Sequence, residues 1–337
     1  MAYARQVTRR SRAELALLRA HESEAEFGVQ IAASTAQDAL GAGRIAVERG
    51  AKFVDINAGC PIHDTIKRGM GATLLKRVNT MVDMVELMTG DLGVPVTVKI
   101  RSGWTEKETT AVETALRMQE AGAAAITLHP RSREQRYTKS ADWSLVAATV
   151  EACSIPVIGN GDILTWYEAR DRQQLSGCAS VMLARGALVK PWLFQEMREQ
   201  RDWQPTAEER LAVYYRLACY MKEHFRDDDT GRTRAMRFLP WHFGFFCRYR
   251  PLPVEQFEAR AKEHPLLQSR ALDDPDASPL ERLLRDVRVE VHAKIADLLW
   301  DAAGLDAAKE AAEELAVSTP EPAADERAAR EFGTSHG

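Results

Sequence analysis

Short apolar runs alternate with amphipathic stretches along the first 200 residues of this chain. The runs predict strands, and they lie at 29–32, 53–56, 94–100, 124–128, 155–159 and 180–184. Between them, apolar positions recur at helical spacing over 36–49, 71–90, 107–121, 142–152, 165–176 and 188–199. Six repeats of strand and then helix predict parallel strands joined by right-handed crossovers.

Polar side chains decide between the two folds that such repeats build, a TIM-type barrel and a doubly wound sheet. They stand at the C-terminal ends of many predicted strands, as Gln30, Asn57, Cys60, Lys99, Arg101, His129, Asn160, Asp162 and Arg185. A barrel gathers all its strand ends at one mouth, whereas a doubly wound sheet concentrates them at one switch point. No GxGxxG follows the first strand. The pattern therefore favours a (β/α)8 barrel with about six of its eight strands present.

Beyond residue 200 the pattern is helical, with no predicted strand. Helices are expected at 206–224, 232–248, 253–263 and 278–300. We expect three parts: a catalytic barrel over 1–200, a helical domain over 201–300, and an acidic tail over 301–337. The tail carries nine acidic and three basic residues. It is expected to form one helix near 305–316 and to be disordered from Ser318.

Composition narrows the setting. The chain has a net charge of −4, and without its tail the remainder is at +2, so local patches must decide nucleic-acid binding. No apolar run approaches the roughly 20 residues of a membrane span. The five cysteines are widely spaced, without a CxxC pair. We therefore expect a cytoplasmic protein with neither a disulfide framework nor a metal site.

Cys60 is the first candidate for chemistry. The strand that contains Asp55 runs into an Asn-Ala-Gly-Cys-Pro turn, which presents Asn57 and Cys60 at its end. A cysteine needed only for packing would more often lie inside the apolar run. A strand-to-loop junction with a chance cysteine remains the alternative.

Cationic side chains are the second signal. Lys99 and His129 each end a strand, and two cations at one mouth suit an anionic or electron-rich ligand such as a flavin. The loop from His129 to Tyr137 contains Arg131, Arg133 and Arg136, which suit phosphates. The segment 231–250 has five arginines among aromatic residues and no acid, which favours contact with a phosphate backbone. A surface lysine, a solvated loop and an ordinary basic helix end are the alternatives.

Several motifs, in order, resemble the tRNA-dihydrouridine synthase family. They lie at 55–61, 98–101, 129–135, 159–163 and 184–187. The runs at 132–139, 190–194 and 246–249 are similar to the third eukaryotic branch of that family. The resemblance covers roughly residues 1–255.

The resemblance implies FMN in the barrel mouth, reduced by NADPH, and hydride transfer to C6 of a flipped-out uracil in tRNA. Cys60 would be the general acid that protonates C5, since a free thiol titrates near pH ~8.5 and is mostly protonated at neutral pH. Asn57 would orient the uracil, and Arg131, Arg133 and the helical domain would grip the tRNA. No obligate protein partner is implied.

The resemblance also implies the cofactor contacts. Gln30, Lys99 and His129 would hold the flavin ring and the ribityl-phosphate region. The phosphate and its chain would lie against the late glycine-containing loops, at Asn160, Gly161, Asp162, Ala184 and Arg185.

The N-terminus departs from the family pattern. Residues 11–19 resemble the segment just after the family's second strand, so its first strand, helix and second strand would be absent. We expect the natural start to lie upstream. Two other functions stay open: an RNA-binding remnant that cannot hold FMN, and an FMN enzyme that acts on free pyrimidines.

Overall fold

A computed structural model describes residues 1–269 and 276–320 of the chain. Within that part the chain forms two compact units. The first contains residues 1–162 and 169–183, and the second contains residues 163–168 and those from 184 onward. The predicted boundary at residue 200 therefore falls inside the second unit, and the three functional domains stay predictions.

One parallel sheet of seven strands forms the centre of the first unit. Its strands pair in chain order: β1 (Ala2–Tyr3), β2 (Gly28–Ala32), β3 (Phe53–Ala58), β4 (Val96–Arg101), β5 (Ala125–His129), β6 (Val157–Asn160) and β7 (Ser180–Met182). All six predicted strands are present. The additional β1 escaped prediction because it is two residues long and a helix follows it directly.

Strand register sorts apolar and polar side chains into separate rows. One continuous apolar row crosses five strands, and its members are buried: Ile31, Ile56, Val98, Ile126 and Val157. Burying each such side chain contributes about 1.5–3 kcal/mol. The alternate positions form two polar rows: Gln30, Asp55 and Thr97, and then Asn57, Lys99 and Thr127. Polar groups that are distant in sequence therefore become neighbours.

Helices alternate with the strands: α1 (Ala4–Thr8), α2 (Arg12–Ala16), α3 (Ala36–Glu48), α4 (His63–Lys67), α5 (Val78–Thr89), α6 (Ala111–Glu120), α7 (Trp143–Ala152) and α8 (Trp166–Ser176). The predicted helix over 71–90 is in fact a 3-10 helix, Gly71–Lys76, followed by α5. The reason is local: Ala72 N donates to Cys60 O at 3.0 Å, which keeps the chain against the cysteine turn. Gly71 has φ +60°, and a Cβ there would lie 2.7 Å from Cys60 O.

The second unit is helical in its described part beyond residue 184. Its α-helices are α9 (Arg185–Val189), α10 (Leu193–Glu199), α11 (Ala207–Phe225), α12 (Asp229–Ala235), α13 (Leu239–Phe246), α14 (Val254–Glu263), α15 (Pro279–Leu284), α16 (Val289–Asp301) and α17 (Leu305–Ser318). Tyr214 stacks on Phe246 at 4.0 Å in its core. Helix α17 buries Ala308 and Ala312 in the same core. The prediction of disorder from Ser318 is wrong at that residue, which is the last of α17. The part of this prediction that covers residues 321–337 lies outside the described residues.

Three predicted helices of this unit are each interrupted. The stretch 188–199 contains the end of α9 and then α10, 232–248 forms α12 and α13, and 278–300 forms α15 and α16. Pro240 lies in the first turn of α13, where its missing N–H costs no helical hydrogen bond, so it suits a new helix start. Across the described residues, no helix is both long enough and apolar enough to cross a membrane.

Candidate active site

The turn after β3 holds Cys60 in a defined position. Asn57 Oδ1 accepts hydrogen bonds from the backbone N–H groups of Gly59 at 3.3 Å and Cys60 at 2.9 Å. Such a side-chain-closed turn is a common use of asparagine. The half-buried Cys60 thiol donates to Thr65 Oγ1 at 3.7 Å. The sequence prediction that Asn57 and Cys60 share one turn is confirmed.

A hydrogen-bond chain supports that turn from two neighbouring strands. Asn57 Nδ2 donates to Gln30 Oε1 at 2.8 Å, and Gln30 Nε2 donates to Asp55 Oδ2 at 2.7 Å. Thr97 Oγ1 donates to the other carboxylate oxygen, Asp55 Oδ1, at 2.6 Å. The roles of Asp55 and Thr97 were not predicted from the sequence, although Asp55 shares the strand face of Asn57.

Burial is the main influence on the pKa of Asp55 in this hydrogen-bond chain. Burial raises the pKa of the Asp55 carboxyl, and the hydrogen bonds from Thr97 and Gln30 and the charge of Lys99 oppose that shift. The two hydrogen bonds that the Asp55 carboxylate accepts offset part of the free-energy cost of removing it from water.

Lys99 lies at the same level of the sheet as Asn57. Its ammonium donates to Asn160 Oδ1 at 2.8 Å, and Asn160 Nδ2 donates to Met182 O at 2.8 Å. Burial, followed by the nearby charge of Arg101, lowers the pKa of Lys99 to about 8. The structure thus brings together two of the predicted cofactor residues, Lys99 and Asn160, and keeps a cation there at neutral pH.

Arg101 ties the cysteine turn to the loop after β5. Its Nε donates to Gly59 O at 2.8 Å, and its Nη1 donates to the carbonyls of Ser132 at 2.9 Å and Arg136 at 3.0 Å. Its side chain is buried at the end of β4. Its place at a strand end was predictable from the sequence, but this role was not.

Arg131 and Asp162 form a buried ion pair beside His129. Arg131 Nη2 lies 2.6 Å from Asp162 Oδ2, and neither side chain has solvent exposure. Arg131 also donates to Lys139 O, and its Nη1 lies 3.3 Å from His129 Nε2. Because Arg131 is completely buried, its side chain is not available to an RNA phosphate in this structure.

Gly161 lets the chain pass close to His129. Its φ is +133°, and a Cβ there would lie 2.9 Å from Ala141 Cβ and 3.2 Å from His129 Cδ2. Trp143 Nε1 donates to Gly161 O at 3.2 Å and fixes the loop from the other side. A residue without a side chain is required at this position.

Ala184 and Arg185 belong to the second compact unit. Ala184 is exposed and precedes α9, and the half-buried Arg185 is the first residue of that helix. Within this unit the next residue, Gly186, packs tightly: a Cβ there would lie 2.1 Å from Ile163 O.

Two cations converge on one indole beside the strand ends of the first unit. Lys76 Nζ lies 3.8 Å and Arg133 Cζ 4.8 Å from the ring centroid of Trp104. Lys76 ends the 3-10 helix that contacts Cys60, Trp104 follows β4, and Arg133 follows β5. Neither cation forms an ion pair with any described residue. We call Lys76, Trp104 and Arg133 the Trp104 clamp.

The family model for dihydrouridine synthase (Dus) matches residues 1–267. This chain belongs to the dihydrouridine synthase family. The Asn57–Cys60 turn, Lys99, His129, Asn160 and Asp162 all lie within the matched residues. The family membership that the sequence motifs predicted is therefore confirmed.

Curated relatives carry dihydrouridine synthase names. The chain is 41% identical over 256 residues to "tRNA-dihydrouridine(47) synthase [NAD(P)(+)]-like" of Homo sapiens, an alignment of 75% of this chain and 39% of that protein. It is 36% identical over 286 residues to "tRNA-dihydrouridine(47) synthase [NAD(P)(+)]" of Cryptococcus neoformans, covering 79% of this chain and 39% of the relative. The chain thus spans about two fifths of the length of these relatives.

Among solved structures, morphinone reductase in complex with tetrahydroNAD aligns with a TM-score of 0.39 and 16% identity. The alignment covers 50% of this chain and 49% of the reductase chain. Similarity of this extent supports no conclusion about the site of this dihydrouridine synthase family member.

The lowered pKa of Lys99 is testable by acylation. The neutral amine is the nucleophile, so reaction of Lys99 with a small amine-directed reagent should reach half its limiting rate near pH 8. The extent of modification is read at the Lys99 peptide by mass spectrometry, with Nα-acetyl-lysine amide in the same solutions as the control. A midpoint near that of an ordinary lysine, about 10.4, would contradict the described surroundings of Lys99.

Proposed function

We propose that this chain is a tRNA-dihydrouridine synthase that reduces the C5–C6 double bond of a uridine in tRNA. The observation that carries the proposal is the Asn57-closed turn, which presents the Cys60 thiol within a family match that covers the site. The names of the relatives point to uridine 47 as the substrate position. In this proposal residues 1–200 carry the reaction, and residues 201–300 help to hold the tRNA.

The residues of the first unit fit a flavin cofactor. Lys99 uses one of its three N–H groups on Asn160, which leaves donors for an electron-rich ring. Gln30 has one further amide N–H beyond its bond to Asp55. Gly161 keeps the loop beside His129 free of a side chain. We propose that these residues hold FMN. The resemblance to the family also assigns Asp162, Ala184 and Arg185 to its phosphate and chain, and at Asp162 this assignment concerns the backbone, because the side chain is buried against Arg131.

FMN, reduced by NADPH, would supply the hydride for C6. Lys99 would hold its positive charge beside the ring, where it would favour an electron-rich flavin. Cys60 would donate the proton of its thiol to C5, which is general acid catalysis. Asn57 holds the turn that aims the thiol, while Arg101 ties that turn to the loop after β5.

A uridine stacked in a folded tRNA must leave its stack to reach such a site, so the RNA must be held nearby. The Trp104 clamp is suited to this, because Lys76 and Arg133 present positive charge without a carboxylate partner in the part of the chain that the structure describes. We therefore assign the phosphate contact to Lys76 and Arg133. In contrast, Arg131 holds the loop internally through Asp162.

Expression in cells that lack their own dihydrouridine synthases tests the function. Nucleosides from tRNA, analysed by mass spectrometry, should contain dihydrouridine with the wild-type chain. Cys60→Ala should reduce its level at least about 100-fold, because a positioned general acid contributes that much or more. Cys153→Ala, at another half-buried free cysteine, is the matched control and should keep the wild-type level. If the wild-type chain forms no dihydrouridine, the proposed function is wrong.

The Trp104 clamp predicts salt-dependent tRNA binding. A plot of log affinity against log salt concentration has a negative slope. In the double variant Lys76→Gln, Arg133→Gln this slope should become shallower by about 1.5, because two fewer phosphate contacts mean that binding releases fewer counterions. Filter binding over a salt series measures the slope.

The control for the clamp is charge-matched. Arg49→Gln with Lys52→Gln removes two exposed cations just before β3, at the opposite end of the strand from Cys60. That variant should keep the wild-type slope. Equal slopes for all three proteins would show that the clamp makes no contact with RNA.

A further inference from the structure

We propose that Asp55 is a positioning residue for Cys60. Its carboxylate sets the orientation of the Gln30 amide, which sets that of Asn57, and Asn57 in turn holds the Cys60 turn. The part given to Cys60 in the reaction rests on the proposed function, whereas the hydrogen-bond chain itself does not.

The groups at the two ends of the hydrogen-bond chain from Asp55 to Cys60 determine which atom donates and which accepts at every step. At one end the Asp55 carboxylate can only accept, so Gln30 must present Nε2 to it, 2.7 Å away. At the other end the backbone N–H of Cys60 can only donate, so Asn57 must present Oδ1, 2.9 Å away. These two requirements leave Gln30 Oε1 facing Asn57 Nδ2, an acceptor facing a donor, at 2.8 Å. The ends are therefore consistent with each other through both amides.

Strand register and burial determine which partners the groups of this hydrogen-bond chain can use. Gln30 is the register partner of Asp55, and Asp55 is the register partner of Thr97. Thr97 satisfies the second carboxylate oxygen, which leaves the first for Gln30. Asp55 is 6% and Asn57 8% exposed, so bulk water has little access to replace a lost partner. A wrongly turned amide would leave two donors facing each other and a buried N–H without an acceptor.

Moving the negative charge from position 55 to position 30 tests whether these hydrogen bonds position the Cys60 turn. Gln30→Glu alone replaces the amide donor with a second carboxyl group, and once both carboxyl groups are ionised neither can donate, so the bond between them is lost. The double variant Gln30→Glu, Asp55→Asn restores every bond. The new amide at position 55 donates to Glu at position 30 and accepts from Thr97, and Glu at position 30 still accepts from Asn57.

The readout is backbone hydrogen exchange at Cys60, measured on the full chain without tRNA. In Gln30→Glu the Cys60 amide should exchange about three to ten times faster than in wild type, the range that corresponds to the loss of one hydrogen bond. The double variant should return to within about twofold of wild type. Gln119→Glu is the matched control: Gln119 Oε1 only accepts, from Ser154 N and Ile155 N, so a carboxylate can replace it.

The Ile126 amide, which donates to Pro156 O at 3.0 Å, reports on the integrity of the sheet. If Gln30→Glu also accelerates exchange at Ile126, Gln30→Met takes its place, because it removes the amide without adding a charge. Unchanged Cys60 exchange in the variant that keeps its sheet, or a double variant that stays as fast as Gln30→Glu, would overturn the proposal.

The dihydrouridine assay separates this inference from the proposed function. Restored Cys60 protection in the double variant, together with dihydrouridine formation by the wild-type chain, supports both. Restored protection with no dihydrouridine from the wild-type chain refutes the proposed function and leaves the positioning of Cys60 by Asp55 standing.

Discussion

The pair of hydrogen bonds that Asn57 accepts from the turn after β3 is the interaction on which the site depends. Without it the backbone N–H groups of Gly59 and Cys60 would lose their acceptor, and the turn that carries the thiol would lose the hydrogen bonds that close it. Arg101 and the 3-10 helix at Gly71–Lys76 both contact this turn and rely on its shape. If the turn changed its shape, Arg101 would lose its acceptor at Gly59 O and Ala72 would lose its acceptor at Cys60 O.

Parallel register converts sequence alternation into this arrangement. In β4 the apolar residues Val96, Val98 and Ile100 alternate with Thr97, Lys99 and Arg101, and β2 and β3 alternate in the same way around Gln30 and Asp55. Rows such as Gln30, Asp55 and Thr97 therefore form across neighbouring strands. The strand pattern and the polar strand ends were predictable because period-two alternation is local. Which polar residues meet was not predictable, because pairing depends on the relative shift of strands about 25 to 40 residues apart.

Other departures from the predictions have equally local causes. Strand β1 is too short to show an alternation, and its membership of the sheet depends on pairing with β2. The predicted helix over 71–90 breaks where Gly71 must approach Cys60, a contact that helical periodicity cannot show. Arg131 belongs to a loop rich in arginine, but its buried partner Asp162 lies 31 residues away. Sequence could therefore identify the cations of the site, and only the fold shows which of them are already paired.

Rapid mixing of the two half-reactions is the most direct test of the central claim, that Cys60 is the proton donor at a flavin site. We expect Cys60→Ala to keep the wild-type rate of NADPH-dependent flavin reduction. Oxidation of the reduced flavin by tRNA should be at least about 100-fold slower in this variant, because only that half-reaction requires a proton at C5. Equal tRNA-dependent oxidation rates in the wild-type and variant proteins would contradict the account.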